Sequence, residues 1–299
     1  AMRIPRWTRS ALVICAAAVT ALAGAGTAAA ASHYPVNSTI VAGIADSLAD
    51  PAAAPPGVNI AGCTLTQAHP RPLILIDGTF ANMTDDWSGL GSTLANEGYC
   101  VYSTPIGANP HSVIQTTGSV ASSAQQVSAL VQRVLGETGA RQVDLLGHSQ
   151  GGMIAEYYAK VLGGASKVHT LIGLSPTTHG TTLDGIATLA KIFPGAKKLI
   201  GNACQACTDQ LPDSSVITAL DNGPIAQPGI DYTIIETRYE FVVTPVGSSF
   251  IHESGVHNEY VQDYCPFDVV DHVNLTYDRA VTSLVSNALS PSTANQVRC

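Results

Sequence analysis

Gly147-His148-Ser149-Gln150-Gly151 lies between an apolar run at 142–146 and a helix-like stretch at 153–162. Strand, sharp turn and helix are what a G-x-S-x-G nucleophile elbow requires. A serine on so tight a turn takes up a strained backbone position, and small residues at 147 and 151 let strand and helix close on each other. The hydroxyl is thereby presented for attack on an acyl carbon. The pentapeptide alone is a weak signal, and its flanks carry the reading.

A serine hydroxyl attacks only when a base removes its proton, and that base is a histidine held by a carboxylate. Of nine histidines, His148 lies inside the elbow and should point away from the serine, while the base belongs late, between the final strand and the last helix. His272 stands there, with His252 and His257 as alternatives. The acid should fall between nucleophile and base at a strand end, which selects Glu240 after the run 232–237 and leaves Asp268 and Asp263 as rivals. Charge on the acyl oxygen needs donors. The turn Asp77-Gly78-Thr79-Phe80 can aim the N–H of Thr79 or Phe80 at the site, together with the N–H of Gln150.

These residues need a scaffold. Strand-like runs at 72–76, 99–103, 142–146, 168–174 and 232–237 alternate with helix-like stretches at 86–97, 119–138, 153–162 and 275–289. Buried strands separated by helices imply an α/β fold of three layers, a mostly parallel sheet with helices on both faces. Ligands in such sheets sit beyond the carboxyl ends of the strands, where the turn at 77–80 and the elbow fall. Residues 175–229 separate two consecutive strands, a length that usually carries function. We expect a lid or cap there whose Leu183, Ile186, Ile192 and Phe193 line an acyl groove.

Residues 1–30 read as an export signal: Arg3, Arg6 and Arg9 precede an apolar Ala- and Gly-rich stretch and then Ala28-Ala29-Ala30. The apolar stretch is too weakly hydrophobic for a stable membrane anchor. Residues 31–59 read as an extension or linker, and 60–299 as one catalytic domain. Removing 1–30 leaves 11 basic against 22 acidic residues, which excludes nucleic acid as a partner. It also leaves six cysteines, which in an exported chain suggest three disulfides out of fifteen possible connectivities. Cys63–Cys100 is favoured because they flank or lie on strands that should be neighbours, then Cys204–Cys207 and Cys265–Cys299. No metal is expected. The Cys204/Cys207 pair has no companion zinc ligands nearby, and Asp263, Asp268 and Asp271 match no calcium-loop spacing.

Asp77-Gly78-Thr79-Phe80-Ala81-Asn82, the stretch 94–101, the elbow, Thr237-Arg238-Tyr239-Glu240 and Cys265-Pro266 ahead of His272 resemble the secreted actinobacterial lipases of the class 2 group, over about residues 60–289. The resemblance implies an α/β-hydrolase fold, a Ser-acid-His triad and cofactor-free hydrolysis of acylglycerols or related esters, substrates found at an oil–water interface. The chain departs from many relatives in having Asp77 where they have His and Glu240 where they have Asp. Backbone groups supply the oxyanion donors and Glu can orient a His, so neither departure removes the chemistry. A cutinase- or polyester-like esterase and an acyltransferase share this triad, and a non-catalytic binding module would need none.

Overall fold

The structure, a computed structural model, describes Met2, residues 33–200 and residues 203–299. The export signal expected over 1–30 lies outside the described residues, apart from Met2.

Six strands form one parallel sheet: β1 Leu73–Ile76, β2 Val101–Tyr102, β3 Val143–His148, β4 Val168–Leu174, β5 Asp231–Glu236 and β6 Val256–Tyr260, in the spatial order β2-β1-β3-β4-β5-β6. The side-chain period of two explains how so apolar a sheet is covered on both sides. In β1, Ile74 and Ile76 enter one core while Leu73 and Leu75 enter the other. The helices, in chain order, are α1 Ile40–Ala49, α2 Met83–Trp87, α3 Leu90–Asn96, α4 Val120–Thr138, α5 Gln150–Lys160, α6 Leu183–Leu189, α7 Gln205–Asp209, α8 Ser215–Asp221, α9 Val261–Tyr264 and α10 Arg279–Leu289.

The helix α4 shows how local sequence sets the elements. Its buried Val120, Ala124, Val127, Val131 and Val134 recur every three or four residues and make one apolar stripe. Ser119 caps the start by accepting the Ser122 N–H, and Gly139 ends the helix at φ 70°. The stripe packs with Ile154 and Tyr158 of α5 on one face of the sheet. On the other face Leu90 and Leu94 of α3 meet Val281, Leu284 and Val285 of α10. Each such side chain contributes about 1.5–3 kcal/mol when fully buried. No described helix is long and apolar enough to cross a membrane.

Several elements depart from the sequence reading. The helix expected over 86–97 is two helices, broken at Ser88 and Gly89. Asn82 and Asp85 form a capping box that starts α2 early. A Cβ on Gly89 would stand 2.6 Å from the Thr276 carbonyl oxygen, so the break is also a point of close approach. The run 275–289 is a 3₁₀ turn, His272–Tyr277, followed by α10. The strand β6 escaped notice because Val-His-Asn-Glu-Tyr has no apolar run; it is an edge strand with one neighbour, β5. Residues 33–59, read as extension or linker, include α1, which packs on α2 and belongs to the same compact unit, His33–Cys299. A Cβ on Gly43 of α1 would lie 3.1 Å from the Asp85 Cα.

Three disulfides join Cys63 to Cys100, Cys204 to Cys207 and Cys265 to Cys299, the pairs favoured from the sequence. The last ties the chain's final residue to the loop after α9.

Candidate active site

Ser149 occupies a one-residue turn between the end of β3 and the start of α5, at φ 54° and ψ −124°. This left-handed backbone costs on the order of 1–3 kcal/mol for a residue with a side chain. The surroundings enforce it. The Ser149 N–H donates to the Leu174 carbonyl at 2.8 Å. A Cβ on Gly151 would stand 2.0 Å from the Ile76 carbonyl oxygen, and one on Gly147 would stand 2.3 Å from the Gly151 carbonyl carbon. Both glycines of the pentapeptide are therefore contact points where only hydrogen fits.

His272 opens the 3₁₀ turn ahead of α10 and is fully buried. Its Nδ1 lies 2.8 Å from Glu240 Oε2. Glu240 Oε1 accepts the N–H groups of Val242 and Val243 at 2.7 and 3.0 Å, so the carboxylate is held by the loop that β5 feeds. Burial pushes the Glu240 carboxyl toward protonation, but the His272 ring, its hydrogen bond and the two backbone N–H groups outweigh it and hold the pKa below the usual carboxylate range. The rivals are engaged elsewhere. Asp263 pairs with Arg238, and Asp268 accepts the Val270 N–H at 2.8 Å. His252 and His257 are exposed.

Ser149 and His272 line one small cavity together with Gly78, Thr79, Asp86 and His148, and its apolar wall is Ile40, Ala81, Leu189, Phe193 and Val273. Ser149 is 1% exposed. Its Oγ and His272 Nε2 are buried and make no hydrogen bond in this closed arrangement. Of the groove residues expected in 175–229, Phe193 lines the cavity, Ile186 is buried behind it, Ile192 is partly buried and Leu183 is 57% exposed, facing solvent. Leu189, six residues on in the same helix, takes the place expected of Leu183.

Thr79 lines the cavity, and the Phe80 ring is fully buried in the apolar cluster whose Ile40, Ala81, Leu189, Phe193 and Val273 form the cavity wall. Gly78 leaves room at the turn, since a Cβ there would lie 3.2 Å from the Ser149 Cβ. Gln150 is the first residue of α5, so its N–H has no acceptor within the helix. Thr79 Oγ1 donates to Gln150 Oε1 at 2.8 Å and accepts from Gln210 Nε2 at 2.9 Å. Gln210, at the end of α7, is thus linked directly to Thr79 and through it to Gln150. No sequence signal marked Gln210, Asp86 or Ile40; each arrives from a distant stretch that only the fold brings near. Among the described residues no group of three His, Cys, Asp or Glu side chains is arranged to hold a metal.

Solved structures share this architecture. Lipase B of Aspergillus fumigatus superposes with a TM-score of 0.61 over 80% of this chain and 56% of its own, at 20% identity. A Bacillus licheniformis lipase in its mature form gives 0.54 over 78% and 96%, at 14% identity. These likenesses establish the α/β-hydrolase fold. In sequence, the chain is 38% identical over 95 residues to triacylglycerol lipases of Pseudarthrobacter phenanthrenivorans and Burkholderia plantarii, 30% of this chain and 28% and 25% of theirs. The match therefore spans about a quarter of the length of those relatives. The model of the family described as lipase (class 2) matches residues 70–284, well over half of the sequence, and the chain belongs to that family.

Proposed function

We propose that the protein is an exported serine carboxylic-ester hydrolase that cleaves acylglycerols. The observation that carries this reading is the strained Ser149 beside a His272 whose Nδ1 is held by a doubly anchored carboxylate. In the proposed reaction Ser149 Oγ attacks the acyl carbon while His272 Nε2 takes its proton. Glu240 keeps the Nδ1–H tautomer and stabilises the imidazolium. The N–H groups of Thr79 and Gln150 receive the oxyanion. His272 then protonates the leaving alcohol oxygen, the C–O bond breaks, and an acyl-serine remains. Water, deprotonated by His272, attacks that ester; His272 returns the proton to Ser149 Oγ as the acyl–Oγ bond breaks, and the fatty acid is released. The contact between Oγ and Nε2 tightens as substrate enters, as such contacts do in many hydrolases.

The segment 175–229 acts in this reading as the cap. The apolar Leu189 and Phe193 exclude water when it is shut and form the acyl wall when it is open. A triacylglycerol preference draws on the relatives' names and on the apolar wall. Three disulfides and the basic, apolar and small-residue pattern at the N-terminus support an extracellular setting. Labelling of the chain without residues 1–30 by a fluorophosphonate probe tests the nucleophile. Ser149→Ala is expected to abolish labelling and to lower turnover on the order of 10⁴-fold or more. Turnover retained by that variant would refute the assignment. Comparing long-chain triacylglycerol emulsion, short soluble esters and polyester film then sorts lipase from cutinase-like activity, and product analysis with an added alcohol detects acyl transfer.

A further inference from the structure

Two charged side chains in the cavity wall have no part in the serine chemistry above. Asp86 on α2 and His148 at the end of β3 are 2% and 5% exposed. Asp86 Oδ1 lies 2.7 Å from His148 Nδ1. Their other polar atoms are committed as well. Asp86 Oδ2 accepts the Gly78 N–H at 2.7 Å. His148 Nε2 stands 3.0 Å from the backbone carbonyl oxygen of His272. One unbroken chain of hydrogen bonds therefore runs from the turn that carries the Thr79 donor, through the residue next to Ser149, to the backbone of the proposed base.

We propose that Asp86 and His148 are positioning residues, a proton-bridged clamp that holds the Gly78–Thr79 turn and the His272 backbone in register with Ser149. The clamp rests on the reading of Ser149 and His272 given above.

The geometry dictates the proton count. A carbonyl oxygen only accepts, so His148 Nε2 carries hydrogen. The contact between Nδ1 and Oδ1 then needs a proton of its own, on the ring or on the carboxyl. Without it, a nitrogen lone pair would face a carboxylate at 2.7 Å. Burial lowers the proton affinity of His148. The Asp86 charge, its hydrogen bond, the His272 carbonyl and Glu240 more than offset this, and the pKa lies above the usual histidine value. Other titratable groups face the pair. Asp77 and Asp85 crowd Asp86, Tyr277 lies near it, and the His272 ring centroid is 5.0 Å from that of His148. Since the folded pKa is raised, the clamp is closed below it and is lost as pH rises through it.

The test measures kcat and KM for a short soluble ester against pH in the wild-type chain, Asp86→Asn, His148→Leu and the double variant, with melting temperatures recorded. In Asp86→Asn the amide oxygen still accepts from Gly78 and the amide nitrogen donates to a neutral ring, so the bridge no longer needs the extra proton. The alkaline fall in wild-type kcat is expected to be absent from Asp86→Asn. His148→Leu should lose about 10- to 100-fold in kcat at every pH while KM changes less than about threefold. The double variant should be no slower than His148→Leu, because the pair acts as a unit. An active wild type with His148→Leu within about twofold of it, or with Asp86→Asn retaining the full alkaline fall, overturns the clamp alone. An inactive wild type overturns the hydrolase reading and the clamp with it. If His148→Leu does not fold, the pH profile of the nearly isosteric Asp86→Asn decides the matter.

Discussion

Replacing Glu240 by Gln exchanges one oxygen for an NH₂ group at a site where both carboxylate oxygens are in use. The carboxylate meets three groups: the N–H of Val242 at 2.7 Å, that of Val243 at 3.0 Å and His272 Nδ1 at 2.8 Å. Gln has one oxygen to share among them. If that oxygen turns to His272, the amide NH₂ faces two backbone donors and leaves them unsatisfied, at about 1–3 kcal/mol each. If it stays on Val242 and Val243, the NH₂ faces Nδ1, which must then accept. The second arrangement is lower in energy. It moves the imidazole proton to Nε2, the nitrogen that has to take the proton of Ser149, and it removes the charge that stabilises the imidazolium. A wrong tautomer held in otherwise intact geometry costs about 10⁴ in kcat, or about 5.4 kcal/mol of barrier. The assay is kcat on a short soluble ester near neutral pH, with the melting temperature as a check on folding. Glu240→Asp keeps the charge with a shorter reach and should fall between Gln and wild type, while Asp268→Asn should be mild. Turnover by Glu240→Gln within tenfold of wild type, or loss of activity in Asp268→Asn instead, would refute the reasoning.

Gly151→Ala puts a Cβ 2.0 Å from the Ile76 carbonyl oxygen and should lose about 3 kcal/mol or more in urea unfolding, since backbone on both sides must move; an unchanged midpoint would show that the elbow is loose. Glu156 is fully buried on α5, and burial raises its pKa to about 8, with Thr178 donating to one oxygen. Because the folded pKa is raised, stability is present in full below the unfolded value near 4.5 and declines as pH rises toward 8. Glu156→Gln should therefore raise the melting temperature at pH 8–9 by an amount worth a few kcal/mol and leave it nearly unchanged near pH 4. A melting temperature that rises equally at both pH values would contradict the buried, protonated acid. Thiol titration of the native chain without residues 1–30 should find no free cysteine. Losing the Cys63–Cys100 or the Cys265–Cys299 link should cost about 2–5 kcal/mol each.

The sheet was legible because its strands are short apolar runs flanked by turn residues, and hydrophobic period is a local property. Residues 168–174 read as a strand and Val168–Leu174 forms one, whereas Val256–Tyr260 did not read, because an edge strand needs no apolar face. The elbow was legible for a related reason: one residue of strained backbone between strand and helix demands glycine on both sides, and that demand is written within five positions. Glu240 and His272 could be ranked by chain order, but the hydrogen bond between them spans 32 residues and is made by folding alone. The same holds for the closure of the site. Nothing local announces that Ile40, from a segment read as a linker, shares a wall with Phe193, or that His148, expected to point away from its serine, meets an aspartate 62 residues away. Sequence by itself determined which residues could do chemistry and which stretches form regular elements, since backbone strain, periodicity and capping act over a few residues. Tertiary structure decided which groups meet, which are buried and how tightly the proton is held, because hydrogen bonds, desolvation and charge depend on distance in space and not along the chain.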